Sequence, residues 1–142
     1  RERSRSLRER VCAAALELAE TAERFHRLHR QRRLVTRIGA HYGRIDIAMS
    51  GGSIQKEYRA VGDVPNTASR IQQLNEELGT RVLVSGALIR GLKGLRVRDL
   101  GLIRLRRKPD PTHVYELIGI QDKADRSSAL DVVRKGTSAK SA

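Results

Sequence analysis

The stretch EYRAVGDVPNTASRIQQLNEEL, residues 57–78, decides the fold because it changes from a strand pattern to a helix pattern within a few residues. Residues 57–61 are typical of a strand, and the Gly-Asp pair after them is a turn signal. Asp63 is then placed to cap a helix, and Pro65 suits its first turn because the missing N–H would be unpaired there. Gly79 suits its end. The stretch therefore predicts a strand, a tight turn and a helix.

Two stripes of side chains run along this predicted helix, at about 100° per residue. The stripe expected to face the core consists of Thr67, Ile71, Leu74 and Leu78. The second stripe, roughly 90° round the helix, consists of Asn66, Arg70, Gln73 and Glu77. Asn66 and Arg70 lie one turn apart and can donate directed hydrogen bonds to an anion. Without further signals, such a pair is more typical of an ordinary solvated helix face.

The composition is that of one polar globular domain. The 142 residues suffice for a sizeable core, and 39% hydrophobic against 32% charged residues is typical of a folded protein. Cys12 is the only cysteine, so it cannot form an intrachain disulfide, a reducing compartment fits, and its expected role is a small helix hydrophobe. No apolar run approaches the roughly 20 residues that cross a membrane. The start RERSRS, without Met or a signal-peptide pattern, indicates a fragment or a processed chain.

The net charge of +13 raises nucleic acids, membrane surfaces and anionic small molecules as partners. Much of the positive charge lies in the N-terminal region and in residues 96–108. Aromatic residues make up only 3% and none is interleaved with the arginine runs, which argues against a stacking platform for single strands. A basic nucleic-acid-binding module therefore stays open without a motif to support it.

The N-terminal region predicts a frayed basic segment, residues 1–6, followed by a long amphipathic helix that ends near Arg33. Its expected apolar face consists of Leu7, Val11, Ala14, Leu18, Ala22, Phe25 and Leu28. His26 and His29, three residues apart near its end, could form a metal pair. Cationic residues are common at helix C-termini, and we favour that interpretation.

The rest of the chain reads mainly as strands. A strand pattern from Val35 to Met49 changes face near Gly43, which predicts a bulge or bend there. The other predicted elements are a turn at 50–53, a hairpin partner at 54–61, strands at 81–85, 95–105 and 112–118, a short helix capped by Ser85, an interruption at Gly101, a basic turn at 106–111, and a polar tail from Gln121 with a short helix at 129–133. These elements predict an α+β fold with a mainly antiparallel sheet.

Three segments in this order carry a family resemblance: TRIGAHYGRIDIA (36–48), EYRAVGDVPNTASRIQQLNEELGTRVLVS (57–85) and VRDLGLIRLRRKPDPTHVYEL (97–117). They resemble the catalytic domain of class III nucleotidyl cyclases, most closely the bacterial adenylate cyclase branch. The resemblance implies a ferredoxin-like sheet flanked by helices, with residues 7–119 as a partial cyclase domain and 120–142 as a polar tail. It also implies a head-to-tail dimer with active sites at the interface, formed by a second copy or a complementary cyclase domain.

The implied reaction converts ATP to cyclic AMP and pyrophosphate, with two Mg²⁺ or Mn²⁺ ions that activate the ribose 3′-oxygen and steady the phosphates. The resemblance places a ribose-orienting residue on Asn66 and a transition-state arginine on Arg70. The basic turn resembles the family's phosphate-binding LKGK segment, with Lys108 as the match and Arg106 as the alternative. The other interpretation of that turn is a solvated hairpin tip.

Two departures from the family pattern stand out. The purine-selecting position falls on Arg59, whose guanidinium only donates and cannot accept the adenine amino hydrogen. The family's metal-binding aspartates and its purine-selecting lysine belong to an N-terminal βαβ segment that this chain lacks, so the metal ligands are expected outside it. Asp46 and Asp63 are not substitutes, and His41 is expected to be structural. We therefore predict that residues 1–142 alone are inactive.

Two alternatives to the catalytic assignment remain. One is a catalytically degenerate cyclase-like domain for regulation or dimerisation, which Arg59 favours and intact Asn66 and Arg70 oppose. The other is the nucleic-acid module, although the resemblance predicts no nucleic-acid partner. A cyclase domain is expected in the cytoplasm, where ATP is, with any membrane contact through other domains of the parent protein.

Overall fold

The computed structural model describes residues 1–29, 35–54 and 57–121. In chain order its elements are α1 (Glu2–Leu28), β1 (Ile38–Ala40), β2 (Asp46–Ser50), β3 (Glu57–Val61), α2 (Asp63–Leu78), β4 (Val82–Ser85), α3 (Gly86–Ile89), β5 (Leu95–Ile103) and β6 (Thr112–Ile120). No helix among these residues is long and apolar enough to cross a membrane.

Four strands form the main sheet in the order β1-β4-β6-β5, and β2 and β3 form a separate antiparallel hairpin. In the sheet, β1 runs parallel to β4, and the other two pairings are antiparallel. The predicted interruption in β5 is confirmed: the β5–β6 register shifts between Asp99 and Leu102, and Gly101 has φ 77°, a conformation that favours glycine. The sheet is therefore mainly antiparallel, as expected.

Strand β4 divides the core between two helices because successive side chains of a strand point to opposite faces. Val82 and Val84 pack in one cluster with α1, through Cys12, Ala15 and Ala19. Leu83, between the two valines, packs in the other cluster with Ile71 of α2 and with Leu105 and Val114. The sheet is thus flanked by α1 on one face and α2 on the other, which confirms the predicted α+β fold.

Helix α2 follows its predicted pattern closely. Thr67 and Ile71 are fully buried, and Gly79 ends the helix with φ 65° while its N–H donates to the Asn75 carbonyl. One expectation is wrong: Gly62 is the N-cap residue, and no side chain caps the helix. The Asp63 carboxylate instead accepts a hydrogen bond from Lys108, because the β5–β6 turn reaches this end of α2.

Helix α1 differs from its prediction at both ends and in its buried face. It begins at Glu2, so residues 2–6 of the segment predicted to be frayed are helical, and it ends at Leu28 rather than near Arg33, which lies outside the described residues. Its buried residues are Cys12, Ala15 and Ala19, whereas Leu18 is 61% exposed. Small side chains, which allow a helix to lie close to a sheet, take the core position here. Of the predicted apolar stripe, Val11 packs against the core, whereas Leu18, Phe25 and Leu28 are exposed.

The two histidines at the end of α1 both pack against Phe25. The His29 ring stacks on Phe25 with 4.2 Å between ring centroids, and its Nδ1 lies 3.1 Å from the Phe25 carbonyl oxygen. His26 packs edge-on against the same phenyl ring. Across the described ranges, no group of three or more His, Cys, Asp or Glu side chains could hold a metal ion.

The predicted bulge near Gly43 is not formed, because the strand ends and the chain continues without strand structure until β2. β1 ends at Ala40, residues 41–45 are not in a strand, and β2 begins at Asp46 in the separate hairpin. The change of face in the sequence pattern therefore marks the point where the chain leaves the sheet. β3 begins at Glu57, later than predicted, and the predicted turn lies between the two hairpin strands. The tail from 122 onward, with its predicted short helix, lies outside the described residues.

Candidate functional site

Lys108 is the centre of the candidate site because it joins the β5–β6 turn to the first turns of α2. Its Nζ donates hydrogen bonds to Asp63 Oδ2 and to Thr67 Oγ1, both at 3.0 Å. Its side chain is only 17% exposed. Leu105, 4% exposed, anchors the turn in the core, and the Lys108 N–H donates to the Leu105 carbonyl. The lysine is thus held by tertiary contacts rather than solvated on a hairpin tip.

The turn itself contains a backbone feature that a sequence pattern does not reveal. Arg107 has φ 58°, the left-handed region that non-glycine residues seldom adopt. Arg106, the alternative phosphate ligand, is exposed. Of the two basic side chains considered for this role, only Lys108 is bonded to α2.

Asn66 and Arg70 lie on the same two turns of α2 as the residues that hold Lys108. Asn66 is exposed and Arg70 is half-buried, and within the described ranges neither side chain makes a hydrogen bond or ion pair. Arg70 is three residues beyond Thr67, a spacing at which helix side chains are neighbours. The N-terminal end of a helix also favours negative charge. The structure therefore gathers Asn66, Arg70 and Lys108 around one end of α2.

The Asp63 carboxylate is ionised at neutral pH. The hydrogen bond from Lys108 holds the pKa of this carboxyl below its usual range, and the charge of Lys108 acts in the same direction. Because the Asp63 side chain is 66% exposed, water screens much of this attraction. Asp63 and Lys108 therefore form a geometrically defined ion pair of modest strength.

His41 lies beside this pair, and it has a structural role. Its Nδ1 is 2.7 Å from Ser85 Oγ, and that hydroxyl also accepts the Leu88 N–H at the start of α3, as the predicted Ser85 cap requires. Burial lowers the pKa of His41, and the nearby charge of Lys108 lowers it further. His41 is thus neutral at physiological pH and links the end of β1 to the start of α3.

A cavity of about 480 Å³ opens on the α3 side of Lys108. Lys108, His41, His113 and Tyr115 are among its lining residues. The His113 and Tyr115 rings stack with 4.5 Å between centroids, and His113 Nε2 lies 2.6 Å from Asp99 Oδ1. Lys108 therefore lies between this cavity and the polar stripe of α2.

Two further residues considered from the sequence, Arg59 and Asp46, lie on the β2–β3 hairpin. Arg59 is exposed on β3, opposite Ala48 of β2. Asp46 is exposed on β2 opposite Val61, and the Asp63 carboxylate is paired with the Lys108 ammonium. The carboxylates of the described residues consequently do not fit a two-metal site.

Sequence reasoning missed the partners of Lys108. Thr67 was assigned to the core stripe and Asp63 to a helix cap, although the two residues are four apart and so lie on one face of the helix. A carboxylate and a hydroxyl at that spacing can accept hydrogen bonds from one cationic side chain, and this was the available sequence signal. Nothing in their local sequence identifies a lysine 41 to 45 residues further along as the cation.

Comparisons with known proteins identify the family of the chain. The profile of the adenylate and guanylate cyclase catalytic domain matches residues 1–119. Adenylate cyclase 1 of Rhizobium meliloti (strain 1021) is 33% identical over 116 residues, which are 79% of this chain and 17% of that protein. The structure of the adenylyl cyclase CyaB from P. aeruginosa, 18% identical, superposes with a TM-score of 0.57 over 75% of this chain and 56% of that one. The chain therefore belongs to the adenylate and guanylate cyclase catalytic domain family.

Proposed function

We propose that this chain supplies the nucleotide-positioning half of an adenylate cyclase active site, which converts ATP to cyclic AMP and pyrophosphate. The adenylate cyclase relative supports the choice of ATP. The observation that carries the proposal is the docking of Lys108 on Asp63 and Thr67, which brings the basic turn to the helix that bears Asn66 and Arg70. Three side chains with phosphate- and ribose-binding chemistry then lie around one end of α2.

Each of the three residues has a distinct part in this proposal. Arg70 stabilises the negative charge that grows on the α-phosphate, since a guanidinium can donate two parallel hydrogen bonds to phosphate oxygens. Asn66 orients the ribose so that its 3′-oxygen faces the phosphorus. Lys108 holds the outer phosphates as a compact positive charge. Positioning and charge stabilisation are the main demands of phosphoryl transfer, so this set fits the chemistry.

The divalent metals of the reaction are proposed to bind to carboxylates outside the described residues. This follows from the absence of a fitting carboxylate set among those residues and from the family resemblance. Selection of adenine is not assigned to Arg59, because its side chain has no acceptor for the adenine amino group.

A second copy or a complementary cyclase domain is proposed to complete the site through the β2–β3 hairpin. Ile47 and Met49, on one face of β2, are 64% and 62% exposed. Their cross-strand partners are Ala60 and Tyr58. An apolar hairpin face of this kind is typical of a protein interface. Ile47→Asp should abolish self-association in sedimentation equilibrium, whereas Ala48→Asp, on the opposite face of the strand, should not; equal effects would contradict the interface.

The catalytic assignment is tested by Arg70→Ala in the parent protein that carries the metal ligands. We expect kcat to fall by about 100-fold or more with little change in KM, because a transition-state contact acts mainly on kcat. Gln73→Ala, on the same polar stripe of α2, is the matched control and should keep wild-type kinetics. A rise in KM at unchanged kcat would show that Arg70 only binds substrate and would refute its role.

The 142-residue chain alone should form negligible cyclic AMP from ATP with Mn²⁺, in agreement with a site whose metal ligands lie elsewhere. Robust Mn²⁺-dependent product formation by this chain would overturn that part of the proposal. A parent protein that carries the metal ligands but has no activity would favour the degenerate regulatory domain instead.

A further inference from the structure

We propose that Asp63 and Thr67 are positioning residues that hold the Lys108 ammonium at the N-terminal end of α2, where the proposed function places the phosphates of the nucleotide. The inference rests on the proposed role of Lys108 as a phosphate ligand. It assigns a role in that site to two residues that the sequence pattern placed in a helix cap and in the core.

The Lys108 side chain is constrained by its two hydrogen-bond acceptors. A lysine on a surface turn has many rotamers and four rotatable bonds, so its ammonium is ordinarily not fixed in space. Here two acceptors at 3.0 Å engage two of its three N–H groups, and the side chain is 17% exposed. One N–H is left for a ligand. The lysine is therefore preorganised, which reduces the entropy lost on binding a phosphate.

The two acceptors contribute differently. Thr67 is fully buried on α2, so helix geometry and its branched side chain fix the hydroxyl. Asp63 is 66% exposed and contributes charge, and its carboxyl pKa is lowered by the hydrogen bond from Lys108. Thr67 thus defines where the ammonium lies, and Asp63 adds attraction toward the same point.

The location of this point matters because Lys108 also lines the cavity beside α3. Without its two anchors, the flexible side chain could turn toward that cavity and away from α2. Thr67 directly follows Asn66 and lies one turn before Arg70, so the anchors keep the lysine with those two residues. Asp63 and Thr67 thus hold the Lys108 ammonium beside the polar stripe of α2 and keep it from turning into the cavity.

The experiment measures binding of inorganic tripolyphosphate to the 142-residue chain at low salt, by calorimetry and by NMR titration. Lys108→Ala defines the loss when the lysine is absent. Thr67→Val keeps shape and charge but removes one acceptor, so we expect affinity to fall by about three- to tenfold, the effect of one hydrogen bond. Thr67→Ser restores the hydroxyl and should restore affinity. In a Lys108→Ala background, Thr67→Val should have no further effect.

Asp63→Asn is compared with Asp46→Asn, which removes an equal charge from strand β2 instead of from α2. Asp63→Asn should bind tripolyphosphate more weakly than Asp46→Asn. Tighter binding would show that Asp63 competes with phosphate for Lys108 and would overturn its positioning role. Because Asp63 is largely exposed, this variant keeps the test valid if Thr67→Val fails to fold.

The remaining outcomes separate this inference from the proposed function. Wild-type affinity in Thr67→Val, with a clear loss in Lys108→Ala, would refute positioning while the phosphate role of Lys108 stands. Wild-type affinity in Lys108→Ala would refute that phosphate role and the inference with it.

Discussion

The two long helices look alike in sequence, yet they use their apolar residues in opposite ways. In α2 the predicted stripe is the packed one, with Thr67 and Ile71 fully buried against the sheet. In α1 much of the predicted stripe faces outward: Leu18 is 61% exposed and Phe25 is 51% exposed, although Val11 packs against the core. The difference teaches that three- and four-residue spacing identifies a helix reliably, but identifies its buried face only when the helix has a single apolar stripe.

Helix α1 has a second stripe made of small residues, about 100° round the helix from the first. Cys12, Ala15 and Ala19 pack against Val82, Val84 and Leu117. Small side chains let the helix axis approach the sheet closely, whereas large ones would keep it away. The exposed large side chains of the first stripe, Leu18, Phe25 and Leu28, are therefore a candidate contact surface, whereas Val11 of the same stripe packs against the core.

The largest expected effect distinguishes the two helices directly. Ile71→Ala in α2 should lower the free energy of unfolding by about 3 to 5 kcal/mol, because it leaves a cavity in a fully buried position. Leu18→Ala in α1 should change it by less than about 0.5 kcal/mol, as an exposed substitution does. Urea unfolding followed by circular dichroism measures both. A large, concentration-dependent loss in Leu18→Ala would show that this face of α1 is buried between copies in solution.

The second-largest expected loss of stability comes from the close contact between α2 and β1. A Cβ on Gly39 would overlap the Gln72 nitrogen and lie 2.6 Å from the Ala68 carbonyl oxygen, both of them backbone atoms that cannot move aside. Gly39→Ala should therefore cost about 3 kcal/mol of stability. Gly52→Ala, with open space around its Cβ, is the control and should stay within about 0.5 kcal/mol. Equal stabilities in thermal unfolding would mean that α2 packs less closely than described.

A buried amide is a further difference between α2 and α1. Asn75, fully buried, donates to the Ile38 carbonyl of β1 at 3.0 Å and accepts from the Thr80 hydroxyl at 2.9 Å. Asn75→Ala should cost about 2 kcal/mol because both partners lose a bond in a dry site. Asn66→Ala, on the exposed stripe of the same helix, should leave stability nearly unchanged. Under the proposed function it should instead reduce cyclase turnover, so a stability loss in Asn66→Ala would contradict this division of roles.

Local signals were enough to predict most elements of the fold. Gly79 ends α2 and Ser85 caps α3 as their residue types indicate, since caps and turns depend on chemistry within a few residues. The break after Ala40 was misread as a bulge, because a change of side-chain face is the same whether a strand bends or the chain leaves the sheet. The burial of Asn75 was missed because only the tertiary fold brings β1 to that amide.

The candidate site was predictable only in part. The polar pair Asn66 and Arg70 follows from helix geometry, and the resemblance added Lys108 and a reason to connect them. The contact of Lys108 with Thr67 could not be predicted, because it joins residues 41 apart through a turn whose left-handed Arg107 no propensity favours. Sequence patterns thus located the ligands on each element, and the long-range contacts determined which of them meet.

The smallest expected effect concerns His41, beside the end of α2 that holds Lys108. Burial and the charge of Lys108 lower the pKa of His41, and Asp63 opposes them, so the folded protein favours the neutral ring. The unfolded chain takes up the proton more readily, at an ordinary pKa of about 6.5. Stability contributed by neutral His41 is therefore complete above about pH 6.5 and is lost as the pH falls through that value toward the lowered pKa.

We expect His41→Gln to reduce the fall in unfolding free energy between pH 7.5 and 5.5, by well under about 1.4 kcal/mol per pH unit because the ring is only half-buried. The Asp63–Lys108 pair does not interfere, because a lowered carboxyl pKa loses its stabilisation only below the ordinary value of 3.8. An unchanged slope in His41→Gln would mean that the ring is hydrated when folded, and the contact between β1 and α3 would then be looser than the 2.7 Å bond to Ser85 implies.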